Sequence, residues 1–196
     1  MSTFQEVNDA SLIKLIGEAQ RRVVFVAPGV HQAVAEALGQ RLAEIDRLQV
    51  TVVIDPDEDV CRIGYGDAKG FELLSSYADR QSFVLMAQPG LRVGVLLVDD
   101  VTLVWSPTPR SVEAAPVGNA ASPTERSPNG LLLGANPGEQ LAHAVSAAGT
   151  DTLPFDAEVG VEVVTKERVQ KTLDGLAKNP PIPVDLARIT RVFSTK

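Results

Sequence analysis

The sequence has few of the residues on which many active sites depend. Its 196 residues include one cysteine and two histidines, and aromatic residues make up 5% of the chain. A single cysteine cannot form an internal disulfide, and two histidines with one cysteine show no ligand spacing for zinc. These shortages exclude a disulfide-stabilised scaffold, and they lead us to expect neither a metal nor any other cofactor.

Basic residues are also in the minority, with 18 Lys and Arg against 25 Asp and Glu and a formal net charge of -7. Surfaces that bind nucleic acid or anionic membranes need a basic patch, so the charge argues against both partners for this domain. No apolar run approaches the length of a membrane span, and the first residues lack the basic flank and apolar core of a signal peptide. We therefore expect a cytoplasmic protein.

Apolar residues are plentiful, at 44% of the chain, and their spacing predicts helices and strands in alternation. A helix at 9–20 precedes a strand at 23–27, a helix at 31–46 and a strand at 49–54. Strand, helix and strand in that order form a parallel crossover unit. The sequence therefore predicts an α/β fold, a mixed sheet with helices on both faces. Further predicted elements are a loop at 55–67, a helix at 71–78, strands at 82–87 and 130–134, and a helix at 138–147.

The stretch from Leu91 to Thr108, LRVGVLLVDDVTLVWSPT, predicts two buried strands joined by a short acidic turn. Its apolar runs are almost continuous, which suits strands that are covered on both faces. The turn falls at Asp99, while Arg92 stands at the start of the first strand and Ser106 at the end of the second. Polar residues at the ends of buried strands are candidates for a site.

This stretch resembles the catalytic motif of phospholipase D-like phosphodiesterases. That motif has a histidine, one residue, a lysine, four residues and an aspartate, followed by a second strand that ends in Gly-Ser. With Asp99 as the aspartate, the histidine position is Arg92 and the lysine position is Gly94. Trp105 and Ser106 stand where Gly-Ser would be, one residue early. The aspartate and the serine are therefore kept, and the histidine and the lysine are not.

The resemblance implies a fold, but this chain lacks residues that the family's mechanism requires. Residues 7–149 follow the family's order of helices and strands, which implies a phospholipase D-like half. In that family the histidine is the nucleophile and the lysine neutralises the phosphate. Arg92 stays protonated and offers no lone pair, and Gly94 has no side chain, so we expect no such catalysis. The family builds one active site from two halves, which implies a homodimer.

A second group of polar residues lies in the loop at 61–67. The loop follows the carboxyl end of a strand, the edge where open α/β sheets bind ligands. Arg62 could hold an anion there, Tyr65 could stack or donate a hydrogen bond, and the loop glycines would let backbone amides approach a ligand. With Arg92, Asp99 and Ser106, these two residues complete the predicted ligand-binding set.

The charged residues of this set also have a structural interpretation. Arg62 could pair with Asp55, Asp57 or Asp67 in its own loop. Arg92 could form a salt bridge to Asp99 or to the loop of Asp55. Asp99 could simply shape the hairpin turn. Both interpretations stay open for these three residues.

The apolar pattern changes after residue 150. A strand at 158–164, a helix at 165–178 and a further periodic segment at 185–193 predict a small α+β tail. We therefore divide the chain into a phospholipase D-like domain at 1–149 and a second part at 150–196. This second part is either a small subdomain or the start of a following domain in a longer protein.

Three functions follow from these observations. The preferred one is a non-catalytic domain for assembly or regulation, a homodimer within a longer, bacterial-type protein, with a protein partner or a missing C-terminal domain. The second is a binding module for a small anion or phosphorylated ligand, lined by Arg62, Tyr65, Arg92 and Ser106. The third is an altered phosphodiesterase or nuclease, which lacks a nucleophile because no histidine is placed by motif to activate Ser106. His31 and His143 are interpreted as surface or packing residues.

Overall fold

The computed structural model describes residues 4–80, 83–112, 128–133 and 162–181. Within these ranges eight strands form one sheet, and five helices accompany them. The strands are β1 Phe4–Gln5, β2 Arg22–Ala27, β3 Gln49–Ile54, β4 Val84–Ala87, β5 Gly94–Val98, β6 Val101–Trp105, β7 Gly130–Leu133 and β8 Glu162–Val163. The helices are α1 Asp9–Gly17, α2 Gln32–Glu44, α3 Glu58–Arg62, α4 Ala68–Asp79 and α5 Lys166–Lys178.

The sheet is mixed, as the sequence predicts. Its strand order is β1-β7-β6-β5-β2-β3-β4-β8, with β2, β3 and β4 parallel and every other pair antiparallel. The parallel part comes from crossovers through α2 and α4, and the antiparallel part begins with the β5–β6 hairpin. The carboxyl ends of β2 and β3 therefore lie at the same edge as the start of β5 and the end of β6. We call this edge the carboxyl edge.

The two faces of the sheet carry different apolar clusters. On β2, Val23 and Phe25 belong to the large core, which includes buried residues of α1, α2 and α4, while Val24 and Val26 belong to a smaller cluster behind the sheet. This division follows from the alternation of side chains along a strand. Helices α1, α2 and α4 pack side by side on the first face. The α/β fold class is thus confirmed, and the helix predicted at 138–147 lies outside the described residues.

Local hydrogen bonds explain where the helices begin. Asn8 caps α1 in a capping box with Ser11, and Thr165 caps α5 as its position predicts. Asp67 caps α4 by accepting the backbone N–H of Gly70 at 2.7 Å, so this helix begins earlier than its apolar spacing indicates. The loop predicted at 55–67 contains α3, because Asp57 accepts the N–H of Asp59 at 2.8 Å.

The described part of the tail packs on the same sheet. Strand β8 pairs antiparallel with β4, and α5 contacts both α3 and α4. The boundary between 149 and 150 stays a prediction, and the segment predicted at 185–193 lies outside the described residues. None of the described helices is both long enough and apolar enough to cross a membrane.

Candidate functional site

Asp99 shapes the turn between β5 and β6. Its φ of 52° is left-handed, a conformation that aspartate tolerates better than most residues. Its carboxylate accepts the backbone N–H groups of Gln20 at 2.9 Å, Arg21 at 2.8 Å and Arg22 at 2.9 Å. Burial raises the pKa of Asp99, but these three hydrogen bonds outweigh it and hold the pKa below the ordinary value. Asp99 therefore fixes the hairpin to the start of β2, at the edge opposite the carboxyl edge.

Arg92 lies at the carboxyl edge and pairs with Asp55, one of the two salt-bridge partners expected for it. Its Nη1 is 3.4 Å from the Asp55 carboxylate and donates to the Leu91 carbonyl at 2.6 Å. The Arg92 guanidinium carbon lies 5.9 Å from the centre of the Tyr65 ring, within the range of a cation–π contact. Asp55 has a side chain only 4% exposed and also accepts the N–H of Gly90 at 2.9 Å. Arg92 therefore compensates a buried carboxylate.

The lysine position of the resembled motif has no room for a side chain. A Cβ on Gly94 would collide with the indole ring of Trp105, its cross-strand partner. Trp105 is buried and packs against Phe25, with ring centroids 6.1 Å apart and an interplanar angle of 49°. The tryptophan thus occupies the space that a lysine at residue 94 would need.

Arg62 lies in a separate groove, and its expected partners were wrong. It pairs with Asp59 and, at 3.3 Å, with Glu58, and its Nε donates to the Asn179 carbonyl at 3.1 Å. The reason is helix α3, which brings residues three and four positions earlier next to Arg62. A groove of about 610 Å³ beside Arg62 is also lined by Lys178.

The glycines of the same loop serve the chain itself. Gly64, with φ of 95°, lies against the backbone of Arg110 and Ser111, and Gly66 lies against the backbone of Val30. A Cβ at either position would meet backbone atoms. We expected these glycines to let a ligand approach the backbone. Instead they allow other parts of the chain to pack closely against it.

Arg92 and Ser106 share an open groove at the outer end of the sheet. The backbone N–H of Ser106 donates to the Asn129 carbonyl at 2.8 Å, while its carbonyl accepts from the Asn129 side chain at 3.2 Å. The groove has a volume of about 510 Å³, and its lining includes Phe4, Val93, Val104 and Leu131. We call it the apolar groove. The structure thus brings Arg92 together with Tyr65 and with Ser106, but leaves Arg62 and Asp99 elsewhere, and ligand binding by this set stays a prediction.

A cluster that the sequence analysis missed lies beside Tyr65. Asp9, at the start of α1, is bound through two hydrogen bonds of 2.7 and 3.1 Å by Arg110 and lies 3.5 Å from Nδ1 of His31. Burial raises the pKa of Asp9, but the hydrogen bonds and charges of His31 and Arg110 bring it down to about 2. The three residues line a cavity of about 40 Å³, together with Tyr65 and Thr108. We call it the Asp9 cavity.

The position of His31 in the sequence could have identified one member of this cluster. His31 follows β2 at the carboxyl edge, as Arg62 and Tyr65 follow β3, so the same argument from strand ends applies to it. Asp9 and Arg110 are 101 positions apart, and no local pattern pairs them.

Two other chemistries find no support in the described ranges. No group of three or more His, Cys, Asp and Glu residues there is placed to hold a metal ion. Cys61 is buried, and burial, followed by the nearby Asp67, Asp55 and Asp57, raises the pKa of its thiol to about 12. A thiol with so high a pKa is a poor nucleophile near neutral pH.

No protein-family model and no curated protein matches the chain. Similar solved structures include TrmBL2, an archaeal chromatin protein with a novel mode of DNA binding, at 9% identity over 68% of this chain and 44% of that one, TM-score 0.42. Another is the phosphatidylserine synthase of Haemophilus influenzae, at 15% identity over 87% and 42%, TM-score 0.47. A third is Nuc of Salmonella typhimurium, a phospholipase D family member, at 14% identity over 68% and 81%, TM-score 0.45. The chain spans less than half the length of the first two, and these values do not assign it to a family.

Proposed function

We propose that this chain is a non-catalytic α/β domain that assembles with a second copy of itself through the apolar groove. The observation that carries the proposal is the exposure of apolar side chains at that end of the sheet. Phe4 is 66% exposed and Val93 is 42% exposed, and both line the groove. Clustered exposed apolar residues are typical of a surface that binds another protein.

Strand register makes this surface continuous. Phe4 on β1 pairs with Leu131 on β7, and Leu131 pairs with Val104 on β6. Residues paired across antiparallel strands project on the same face of a sheet, so these three side chains form one row. Ser106 follows Val104 by two positions and extends the row toward the carboxyl edge.

The charges around the apolar groove permit a second copy of this acidic chain to bind there. The chain has a net charge of -7, so two copies repel each other over most of their surface. Among the described residues that line the groove, Arg92 is the charged one, and Asp55 already compensates it. A two-fold interface brings the same patch from both subunits together, which this uncharged row permits without like-charge contact.

The same geometry supports the absence of phosphodiesterase chemistry. Arg92 at the motif's histidine position is engaged with Asp55, and Trp105 takes the space of the motif's lysine. With Arg92 and Gly94 at these two positions, the motif has neither its nucleophile nor its phosphate-binding lysine. In a longer protein, such a domain would pair the segments attached to it, which is the regulatory role we assign.

Sedimentation equilibrium on the wild-type chain and on single variants tests the proposal. We expect a dimer, and we expect Phe4→Asp and Val93→Asp each to weaken it by about 30-fold or more, because a charge would be buried at the interface centre. Val163→Asp is the matched control, since Val163 is 64% exposed on β8, at the other end of the sheet. A wild-type monomer at high concentration, or equal loss in the control, would refute assembly through this groove.

A further inference from the structure

The Asp9 cavity has the donors of an anion site, and the proposed assembly makes no use of it. It lies at the carboxyl edge, under the segment 107–112 that follows β6. Two backbone hydrogen bonds hold this segment down, from Arg110 N–H to the Gly64 carbonyl at 3.1 Å and from Ser111 N–H to the Ile63 carbonyl at 3.0 Å. Arg110 is thereby fixed beside His31, although the two residues come from distant parts of the chain.

Asp9 orients the two basic side chains and leaves donors on both. A guanidinium has five N–H donors, and Asp9 takes two from Arg110. Nδ1 of His31 faces Asp9, and in the imidazolium form Nε2 carries a second N–H that an anion can accept. One carboxylate thus stands against two basic groups in a chain that is acidic overall.

Neutral donors also line the cavity without a partner of their own. Across the described part of the chain, no protein hydrogen bond engages the hydroxyl of Tyr65 or of Thr108. Both residues line the cavity next to Arg110 and His31. These two hydroxyls are therefore available to hydrogen-bond a group bound in the cavity.

The small volume of the Asp9 cavity limits the size of the ligand that it can hold. About 40 Å³ holds roughly three water molecules, since each needs about 10–15 Å³ by this measure. That space suits a single tetrahedral oxyanion with its oxygens spread among donors from several elements. It does not suit a base, a sugar ring or a peptide side chain.

We propose that the Asp9 cavity binds a phosphate-type oxyanion, with Arg110 and His31 as its basic contacts and the hydroxyls of Tyr65 and Thr108 as neutral donors. The ligand is either free phosphate or the terminal group of a phosphomonoester, because both present the same oxygens. Arg62 takes no part in this site, since it pairs with carboxylates of α3. Arg92 does not line the cavity and pairs with Asp55, but its guanidinium contacts the ring of Tyr65.

Isothermal titration of the full chain with inorganic phosphate tests the site, with glycerol 3-phosphate as a second probe for the phosphomonoester form. We expect saturable binding of one ion per chain. Arg110→Gln and His31→Gln should each lower the affinity by about tenfold or more, as expected for the loss of a charge-assisted hydrogen bond. Binding of glycerol 3-phosphate but not phosphate would assign the site to monoesters.

Conservative variants separate binding from folding. Tyr65→Phe and Thr108→Val remove one oxygen each and break no protein hydrogen bond in the described ranges, so they should keep the unfolding midpoint and lose affinity. Arg62→Gln is the matched control and should bind phosphate like the wild type, since Arg62 lies in a separate groove. Failure of both probes to bind, or loss of binding in the control with retention in Arg110→Gln, overturns the proposal.

Discussion

At the scale of single residues, aspartates hold the loops to the sheet. Asp99 binds three backbone N–H groups at one edge, while Asp55 and Asp9 hold Arg92 and Arg110 at the other. Each carboxylate is paired, as partly buried charges must be. Each of these carboxylates therefore joins two distant parts of the chain.

Asp9→Asn should destabilise the protein by about 2 kcal/mol at neutral pH, because the folded-state pKa of Asp9 is lowered from 3.8 to about 2. A lowered pKa stabilises the folded state above the unfolded-state pKa, and this contribution is lost as the pH falls from about 4 to about 2. Urea unfolding of both proteins across this range measures the difference. Asp100→Asn is the control, since the Asp100 side chain is 61% exposed and pairs with Arg21 at the surface, where a pair contributes little. A difference that persists at pH 2 would contradict this assignment.

Gly94→Ala should destabilise the protein by about 1–3 kcal/mol, because the added Cβ meets the buried indole of Trp105. Chemical denaturation measures the change. Gly17→Ala is the control: Gly17 ends α1 with nothing within 4 Å of an added Cβ, so we expect no loss of stability. A neutral Gly94→Ala would mean that the pocket can accept a side chain at the motif's lysine position.

At the scale of elements, helix α5 is joined to the loop before α3 by one buried hydroxyl. Thr172 Oγ1 lies 2.6 Å from the Pro56 carbonyl and 3.0 Å from the Arg168 carbonyl. Val169 and Leu176 are buried on the same face of α5. The helix is therefore positioned by apolar packing together with a specific hydrogen bond.

Replacing threonine by valine should change the free energy of unfolding in opposite directions at two buried positions. Thr172→Val removes the hydrogen bond to Pro56 and leaves its carbonyl without that donor, so we expect a loss of about 1–2 kcal/mol. Thr102→Val on β6 should raise stability by about 1 kcal/mol, because the buried Thr102 hydroxyl has no partner in the described part of the protein. Denaturant unfolding of the two variants checks both signs. A Thr102→Val variant less stable than the wild type would mean that this hydroxyl has a partner.

At the scale of the whole molecule, long-range repulsion and local apolar contact oppose each other. The chain carries a net charge of -7, and the apolar groove lies at one end of the sheet. The proposed dimer therefore forms against a repulsion between two acidic subunits. Its affinity should increase with ionic strength, whereas the affinity of an interface held by salt bridges should decrease.

Raising the salt concentration from about 0.05 M to about 0.5 M should strengthen the dimer, since screening weakens the repulsion and leaves the apolar contact intact. Sedimentation equilibrium of the wild type at several salt concentrations measures this trend. Phe4→Asp, measured in parallel, should remain monomeric across the same range. A dimer that dissociates as salt is added would indicate ion pairs at the interface and a different surface.

The sequence alone determined the α/β fold class and most element positions. Periodicity gave β2, β3 and α2 to within about two residues at each end, because these elements are covered by the core and their apolar spacing is regular. It missed α3, since a five-residue helix is set by the Asp57 cap and not by periodicity. From Arg92 and Gly94 it also predicted that the resembled motif lacks its nucleophile and its lysine, and this stays a prediction.

Only the tertiary structure decided which side chains meet. Arg92 pairs with Asp55 rather than Asp99 because the two ends of β5 lie at opposite edges of the sheet. Trp105 excludes a side chain at Gly94 through the register of the hairpin. The Asp9 cavity brings Asp9, His31 and Arg110 together from three parts of the chain, and Asp9 and Arg110 are 101 positions apart. The spacing of apolar residues along the chain indicates whether each segment is a helix or a strand. Contacts between distant residues depend instead on how these elements are ordered in the sheet.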